Sequence, residues 1–253
     1  SATIITLDNF DDDMVETVRN MRDVDEAEGR RNAMLRILVD EENWRDIQII
    51  AVPDFDDIRV SIFTSEEGAW PPPKREMLIE RSSIALLNKG IGDTVTVKSA
   101  KGKERDLRIA GLAHDITRLP SFLDGSVYAY VTFDTLEWLG EPREYNELHF
   151  TVAENYYDIE HVQRVATEVK DKIQKSGRTV FFAQVADPGK HPLDSTLNTL
   201  LLLLIVLGGM SLVLSGFLVV NTISALMTQQ VRQIGMMKAV GAQRSQIAGI
   251  YFA

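Results

Sequence analysis

From Ser195 to Val231 the chain runs for 37 residues without an Asp, Glu, Lys or Arg. Inside that run, Leu200 to Val220 is 21 residues broken only by Gly208, Gly209, Ser211, Ser215 and Gly216. At a rise of 1.5 Å per residue such a helix is roughly 31 Å long, the thickness of one bilayer core. A buried helix of a soluble protein rarely extends this far without a charge, and a signal peptide would stand at the N-terminus. The sequence therefore predicts a transmembrane helix over 197–228. Gly208, Ser211 and Ser215 recur on one face of it, where small side chains let a second helix approach closely.

The averages conceal this segment. A chain of 253 residues that is 45% hydrophobic and 25% charged matches an ordinary soluble protein, and the mean hydropathy is −0.07. The composition excludes a disordered acidic tail and, with no cysteine, a disulfide scaffold. A net charge of −10 argues against nucleic acid as a partner, because an acidic chain repels phosphate. The charge is segregated. After Thr196 the chain holds Arg232, Lys238 and Arg244 and no acid, a sum of +3, which leaves −13 for the first 196 residues. The positive-inside rule places the basic C-terminal side in the cytoplasm, the helix in the cytoplasmic membrane and residues 1–196 outside.

Those first residues read as a folded α+β unit. Thr3 to Leu7 is a β-branched strand, and Asp8 is placed to cap a helix with Phe10, Met14, Val18 and Met21 at spacings near four. Met34 to Val39 and Ile47 to Val52 read as strands, the second ended by Pro53. Trp70 to Pro73 is stiff and extended, and Met77 to Glu80 is a short strand. A helix capped by Ser82 or Ser83 is expected to stop at Gly90. Val95 to Lys98 and Leu107 to Leu112 form a hairpin around Lys101 and Gly102. A strand over Val127 to Phe133 precedes a short helix over Thr135 to Leu139.

The opening pattern then returns. Leu148, Phe150 and Val152 alternate as a strand. Asp158 caps a helix with Ile159, Val162, Val165, Val169 and Ile173 on one face, Gly177 follows it, and Thr179 to Val185 is a strand. Strand–helix–strand at both ends implies one subdomain built from 1–55 and 146–190, with a β-rich subdomain over 56–145 inserted. Pro188, Gly189 and Pro192 mark the break before the membrane helix.

The sharpest motif follows the span: Asn221-Thr222-Ile223, then Val231-Arg232-Gln233-Ile234-Gly235-Met236-Met237-Lys238-Ala239-Val240-Gly241-Ala242. Val231, Ile234, Met237 and Val240 recur near helical spacing, Arg232, Gln233, Lys238 and Gln243 lie mostly off that stripe, and Gly241 can end the helix. A short basic amphipathic helix of this kind, over 229–246, lies on anionic headgroups or docks on a protein. The motif resembles the signature R-x-I-G-x-x-x-A-x-G-A of MacB/FtsX-type ABC transporter permeases. Gly68-Ala69-Trp70-Pro71-Pro72, Glu80-Arg81-Ser82, Ile91-Gly92-Asp93, Gly111-Leu112-Ala113-His114-Asp115 and His191-Pro192 are similar to that family's extracytoplasmic domain.

The resemblance implies a porter-like subdomain with an inserted β-rich part, and a first membrane helix preceding the domain. Against that layout the chain reads as a piece of a longer permease, with residues 247–253 opening the next membrane helix. It implies that Val231, Arg232, Ile234, Gly235, Met236, Met237, Lys238, Ala239, Gly241 and Ala242 form a coupling segment for a separate ABC ATPase, which binds the ATP. It also implies a second permease copy or homologue as dimer partner, and an extracytoplasmic adaptor. The function implied is mechanotransmission, in which ATP-driven motion is relayed to an outer domain that exports or extracts a substrate. The alternative is an FtsX-like regulator of extracytoplasmic cell-wall hydrolases without transport.

No enzyme signature accompanies these features. There is no G-x-x-x-x-G-K-[ST] phosphate loop, G-x-S-x-G elbow or H-E-x-x-H helix, and Gly90-Ile91-Gly92 lacks the third glycine of a dinucleotide fingerprint. His114 and Asp115 invite a metal-hydrolase reading, but His149, His161 and His191 have no ligand spacing to them. Asp54, Asp56 and Asp57 lack the glycine and the final acid of a calcium loop. Asp11 to Asp13 favour a helix N-terminus through the macrodipole. The sequence thus predicts no catalytic residue, no metal and no cofactor.

Overall fold

The computed structural model describes residues 1–40, 42–186 and 194–243, together with Ser245 and Gly249. The expected break at Pro188, Gly189 and Pro192 lies outside the described residues, as do Lys190, His191, Arg244 and most of 247–253, where a further helix was expected. The chain divides into two compact units, Ser1–Leu193 and Asp194–Ala253.

The first unit contains β1 (Ala2–Phe10), α1 (Asp12–Arg19), β2 (Val24–Leu38), β3 (Trp44–Val52), β4 (Thr64–Gly68), β5 (Glu76–Glu80), α2 (Ile84–Leu87) and β6 (Thr94–Lys98). It continues with β7 (Glu104–His114), α3 (Ser121–Asp124), β8 (Val127–Thr132), α4 (Phe133–Leu139), β9 (Tyr145–Val152), α5 (Ile159–Lys175) and β10 (Val180–Val185). The second unit is built on α6 (Asp194–Ala239).

The strands belong to two assemblies. The first is antiparallel, in the order β10-β1-β9-β2, with α1 and α5 against one face. α5 forms because Val162, Val165, Val169 and Ile173 recur at three and four, and Asp158 accepts from the Glu160 N–H at 3.0 Å. These side chains are buried against Ile4, Leu148 and Phe150, and each contributes about 1.5–3 kcal/mol by leaving water. The order is β-α-β-β-α-β, with everything from β3 to α4 inserted between the second and third strands.

The inserted part closes on itself. β2 pairs with β3, β3 with β8, β8 with β5, β5 with β7, β7 with β6, and β6 returns to β2 through Arg36 opposite Lys98. This is a six-stranded barrel. Every second residue points inward: Ala33, Leu35 and Ile37, then Ile47, Ile49 and Ala51, then Val127, Ala129 and Val131, completed by Met77, Ile79, Val95, Val97, Leu107 and Ile109. A second apolar layer on the outside joins Phe55, Phe63, Trp70 and Tyr130, with Phe63 stacked on Tyr130 at 4.1 Å. β4 adds to β7 at the rim. Their close approach requires glycine on both strands, because a Cβ on Gly68 would stand 2.4 Å from the Ala110 carbonyl and one on Gly111 2.4 Å from that of Glu67.

Several sequence expectations are corrected here. The division expected after residue 55 falls inside β2, whose first half pairs with β9 and whose second half pairs with β3. β3 therefore belongs wholly to the barrel. The first helix is capped by Asp11, not Asp8, because β1 continues to Phe10, and Asp8 accepts instead from the Thr179 N–H at 2.7 Å. The helix after Ser83 lasts one turn and ends at Asn88, in the left-handed region at φ 54°, before Gly90 is reached. Ser83 makes no cap. Its hydroxyl accepts from the Tyr128 N–H at 3.0 Å and meets that of Ser121, tying α2 to the start of β8.

Candidate functional site: the α6 segment and the buried junction

α6 contains a stretch, Leu197–Thr228, long and apolar enough to cross a membrane, and none of its apolar window is buried within the chain. The helix does not stop there. Val231, Arg232, Ile234, Gly235, Met236, Met237, Lys238 and Ala239 continue the same helix without a break. The separate short helix expected over 229–246 is thus the end of one 46-residue helix. At 1.5 Å per residue that helix is roughly 69 Å long, about twice the thickness of a bilayer core.

Its end is well defined. The Gly241 N–H donates to Lys238 O at 3.1 Å and the Ala242 N–H to Met237 O at 3.0 Å, while Gly241 sits at φ 96°. Crossed bonds of this kind around a left-handed glycine make a Schellman end, which satisfies carbonyls a helix otherwise leaves open. The stripe read from the sequence is different in three dimensions. A step of three residues turns an α-helix by about 300°, so positions 231, 234, 237 and 240 drift round half the circumference. Val231 and Val240 stand on opposite sides, and both are exposed. Gly208, Ser211 and Ser215, spaced three then four, stay within about 60° of one another and remain a narrow exposed face.

A second feature, in the first unit, had no signal in the sequence. Where β2 passes from sheet to barrel, Arg30 is 1% exposed. Its Nε donates to Glu28 Oε1 at 2.8 Å, and its Nη2 donates to the carbonyls of Val60 and Ser61. Glu28 also accepts from the Arg59 N–H at 3.0 Å. On neighbouring β9, Glu147 accepts from Asn32 Nδ2 at 2.7 Å and faces Arg118 at 3.6 Å and His149 Nε2 at 3.2 Å. His149 Nδ1 lies 3.0 Å from the Thr3 hydroxyl and 3.1 Å from that of Ser61. A carboxylate only accepts, so Nε2 carries the proton and Nδ1 accepts from a hydroxyl.

The electrostatics follow from these partners. Burial raises the Glu147 pKa, but the His149 hydrogen bond, the Arg118 charge and Asn32 outweigh it and set it at about 2. Burial lowers the pKa of His149 more than Glu147 raises it, so the ring is neutral. Asp115 accepts from Tyr130 OH at 2.7 Å and from the Thr117 N–H at 2.8 Å. Burial and Asp115 together push the Tyr130 phenol well above its ordinary value. Each charge in this network has an opposite charge within 4 Å, with Arg118 shared between Glu147 and Asp115, and the pairs tie β2, β9 and the loop after β7 together.

Nearby, a cavity of about 210 Å³ lies between α1, β2 and the loop after β3. Its carboxylates are engaged as well. Asp12 accepts from Tyr145 OH at 2.7 Å, and Asp57 pairs with Arg59 at 2.6 Å. Asp54 accepts from the Asp56 N–H at 2.9 Å, as an acidic turn does. Among the described residues no group of three or more His, Asp or Glu is placed to hold a metal ion.

Residues 205–253 match the family model described as FtsX-like permease C-terminal. Over 163 residues the chain is 25% identical to a protein of Methanocaldococcus jannaschii named as an uncharacterized ABC transporter permease. That match covers 64% of this chain and 38% of the relative, so the chain spans well under half of the relative's length. Among solved structures, the periplasmic region of MacB from Actinobacillus actinomycetemcomitans aligns over 72% of this chain and 87% of that one, at 12% identity and a TM-score of 0.46. The extracellular domain of the noncanonic ABC-type transporter YknZ from Gram-positive bacteria aligns over 72% and 98%, at 11% identity and a TM-score of 0.45. The family match falls on the segment that carries the motif, and the relative is likewise named as a permease.

Proposed function

We propose that this chain is part of the permease subunit of a MacB/FtsX-type ABC transporter, and that it relays the motion of a separate ATPase to an extracytoplasmic domain. The observation that carries the reading is the family match over 205–253, which contains the R-x-I-G motif at the end of α6. The basic residues Arg232 and Lys238 follow the apolar stretch, which supports a cytoplasmic end for that part of the helix. Residues 1–196 then lie outside the membrane.

The mechanism is mechanical. The ATPase, on binding and hydrolysing ATP, moves against the segment from Val231 to Ala242. Because that segment continues the membrane helix without a joint, a displacement at one end travels as a displacement of the whole rod. Gly235 lets a partner surface approach the helix backbone, and Met236 and Met237 offer adaptable apolar contacts. The Gly208, Ser211 and Ser215 face packs against another membrane helix. A relay of this kind needs two alternative arrangements rather than a reactive group.

The test is ATPase activity of the complete complex in lipid. Gly235→Asp and Met237→Asp should lower permease-dependent ATP hydrolysis at least several-fold while leaving the complex assembled. Unchanged hydrolysis and unchanged function in both would refute the coupling role.

A further inference from the structure

Most arginines of the first unit answer a carboxylate, but two at one end of the barrel do not. β5 and β7 are parallel neighbours, so their starts share that end, and β8, antiparallel to β5, delivers α4 there. Arg105, near the start of β7, is opposite Val97, which is buried in the barrel core. It therefore stands on the inner row at the mouth rather than on the outer wall. Arg75 immediately precedes β5. Its φ of 63° lies in the left-handed region, which is costly for a residue with a side chain. The Arg75 N–H donates to the hydroxyl of Thr135 on α4 at 3.0 Å, which holds it there.

Trp138, in the last turn of α4, joins the two. It packs against the barrel core, with the Arg105 guanidinium 4.3 Å and the Arg75 guanidinium 5.3 Å from its ring centroid. An arginine held on an aromatic ring keeps the N–H groups along its edge for other partners. Among the described residues neither guanidinium has a hydrogen bond or an ion pair, and Arg105 Nε is buried without an acceptor. The acids around them are committed elsewhere. Glu104 pairs with Lys98 at 2.7 Å, Glu76 with Arg108 at 3.8 Å, and Asp106 accepts from the Thr96 hydroxyl at 2.8 Å. On α4, Asp134 pairs with Lys74 and Arg143, and Glu137 with Arg143. In a unit of net −13, two arginines left without an acid are an exception.

We propose that Arg75, Arg105 and Trp138 form a binding site for a phosphate group, either inorganic or carried as a phosphomonoester. The two guanidiniums bring two positive charges, and a phosphomonoester carries about −1.5 to −2 at neutral pH. Each guanidinium edge presents paired N–H groups that match two oxygens of one phosphate. Arg105 Nε then gains an acceptor, and the indole ring fixes the plane in which each fork is offered. The left-handed backbone at Arg75 also has a reason here, since strain of this kind collects where a ligand is clamped. The site lies wholly in the first unit and does not rest on the permease reading: phosphate binding can fail while coupling to an ATPase stands, and the reverse.

The test is equilibrium dialysis of the full chain in detergent against labelled inorganic phosphate. The expected result is saturable binding of one phosphate per chain, with a Kd of about 1 mM or tighter, that chloride or acetate at equal ionic strength does not displace. Arg75→Gln, at an exposed position, should weaken it about tenfold or more. Arg105→Lys keeps the charge but loses the fork, and should weaken it as much. Arg22→Gln, at an exposed arginine after α1, should leave it unchanged. Competition with glycerol 3-phosphate identifies the source: equal competition supports a carried phosphomonoester, and none supports the free anion. Absence of saturable binding, equal displacement by acetate, or native affinity in Arg75→Gln would each overturn the proposal.

Discussion

A Cβ on Gly29 would stand 2.5 Å from Cδ2 of Tyr145, inside the space the ring occupies. The ring also meets Phe10 of the sheet core at 5.8 Å and Phe133 of the barrel core at 5.5 Å, so it belongs to both. Glycine at 29 admits this shared side chain. Gly29→Ala should force the ring away and cost about 1–3 kcal/mol, as overpacking does. A lowered urea midpoint for the full chain in detergent is the expected reading. Tyr145→Ala in the Gly29→Ala background should then cost less than in the native one, because the clash is already relieved.

Removing Arg30 leaves Glu28 without its buried partner and the Val60 and Ser61 carbonyls without their donor. Breaking a buried pair in this way costs about 3–5 kcal/mol. Arg30→Met should show that loss. Exposed Arg143→Met, whose pairs with Asp134 and Glu137 are solvated, should change stability by less than about 1 kcal/mol. Chemical denaturation of both variants decides the comparison.

Acid should weaken the junction in two windows. His149 has a depressed pKa in the fold, so the unfolded chain takes up a proton first, and stability falls as the pH drops below 6.5. Glu147 is held at about 2 against 4.5, so its contribution is complete above 4.5 and is lost as the pH falls towards 2. Burial, the hydrogen bond between the two groups and Arg118 act on both, Asn32 acts on Glu147 and Arg30 on His149, while the Thr3 and Ser61 hydroxyls face the His149 ring. In thermal melts across pH, His149→Gln should flatten the limb below 6.5. Glu147→Gln should remove the lower limb.

Gln230 lies between the apolar stretch and the motif, inside α6. Gln230→Pro removes a backbone donor and places a ring against the preceding turn, which kinks a helix at a cost of about 3 kcal/mol. If α6 transmits motion as one rod, this variant should assemble and hydrolyse ATP while its transport or regulatory output falls at least tenfold. Native output from a kinked helix would argue for a flexible joint.

The legible parts of the fold are those whose causes are local. α5 carries its own periodicity and its own cap, and the hairpin of β6 and β7 is set by the turn at Gly102. The membrane stretch is legible from length alone. β2 is legible only in its second half, expected as the strand over Met34 to Val39, because Arg30, Arg31 and Asn32 interrupt the apolar pattern before it. Their partners arrive from residues 60 and 61, from 9 and 141, and from 48, 146 and 147, and a strand's own sequence does not record them. Closure of the barrel rests on two residue pairs between β2 and β6, about sixty positions apart. The junction network was missed for the same reason: each member is an ordinary residue, and only burial at a crossing of two sheets makes it a unit.

β2 spends its first half in the sheet and its second half in the barrel. A girder common to two frames does not let one slide past the other. At about 3.4 Å per residue its fifteen residues extend for roughly 50 Å, and covalent bonds rather than a contact surface join the frames along it. A load applied at the edge where β1 begins and β10 ends would therefore be carried into the barrel through the chain of β2 itself.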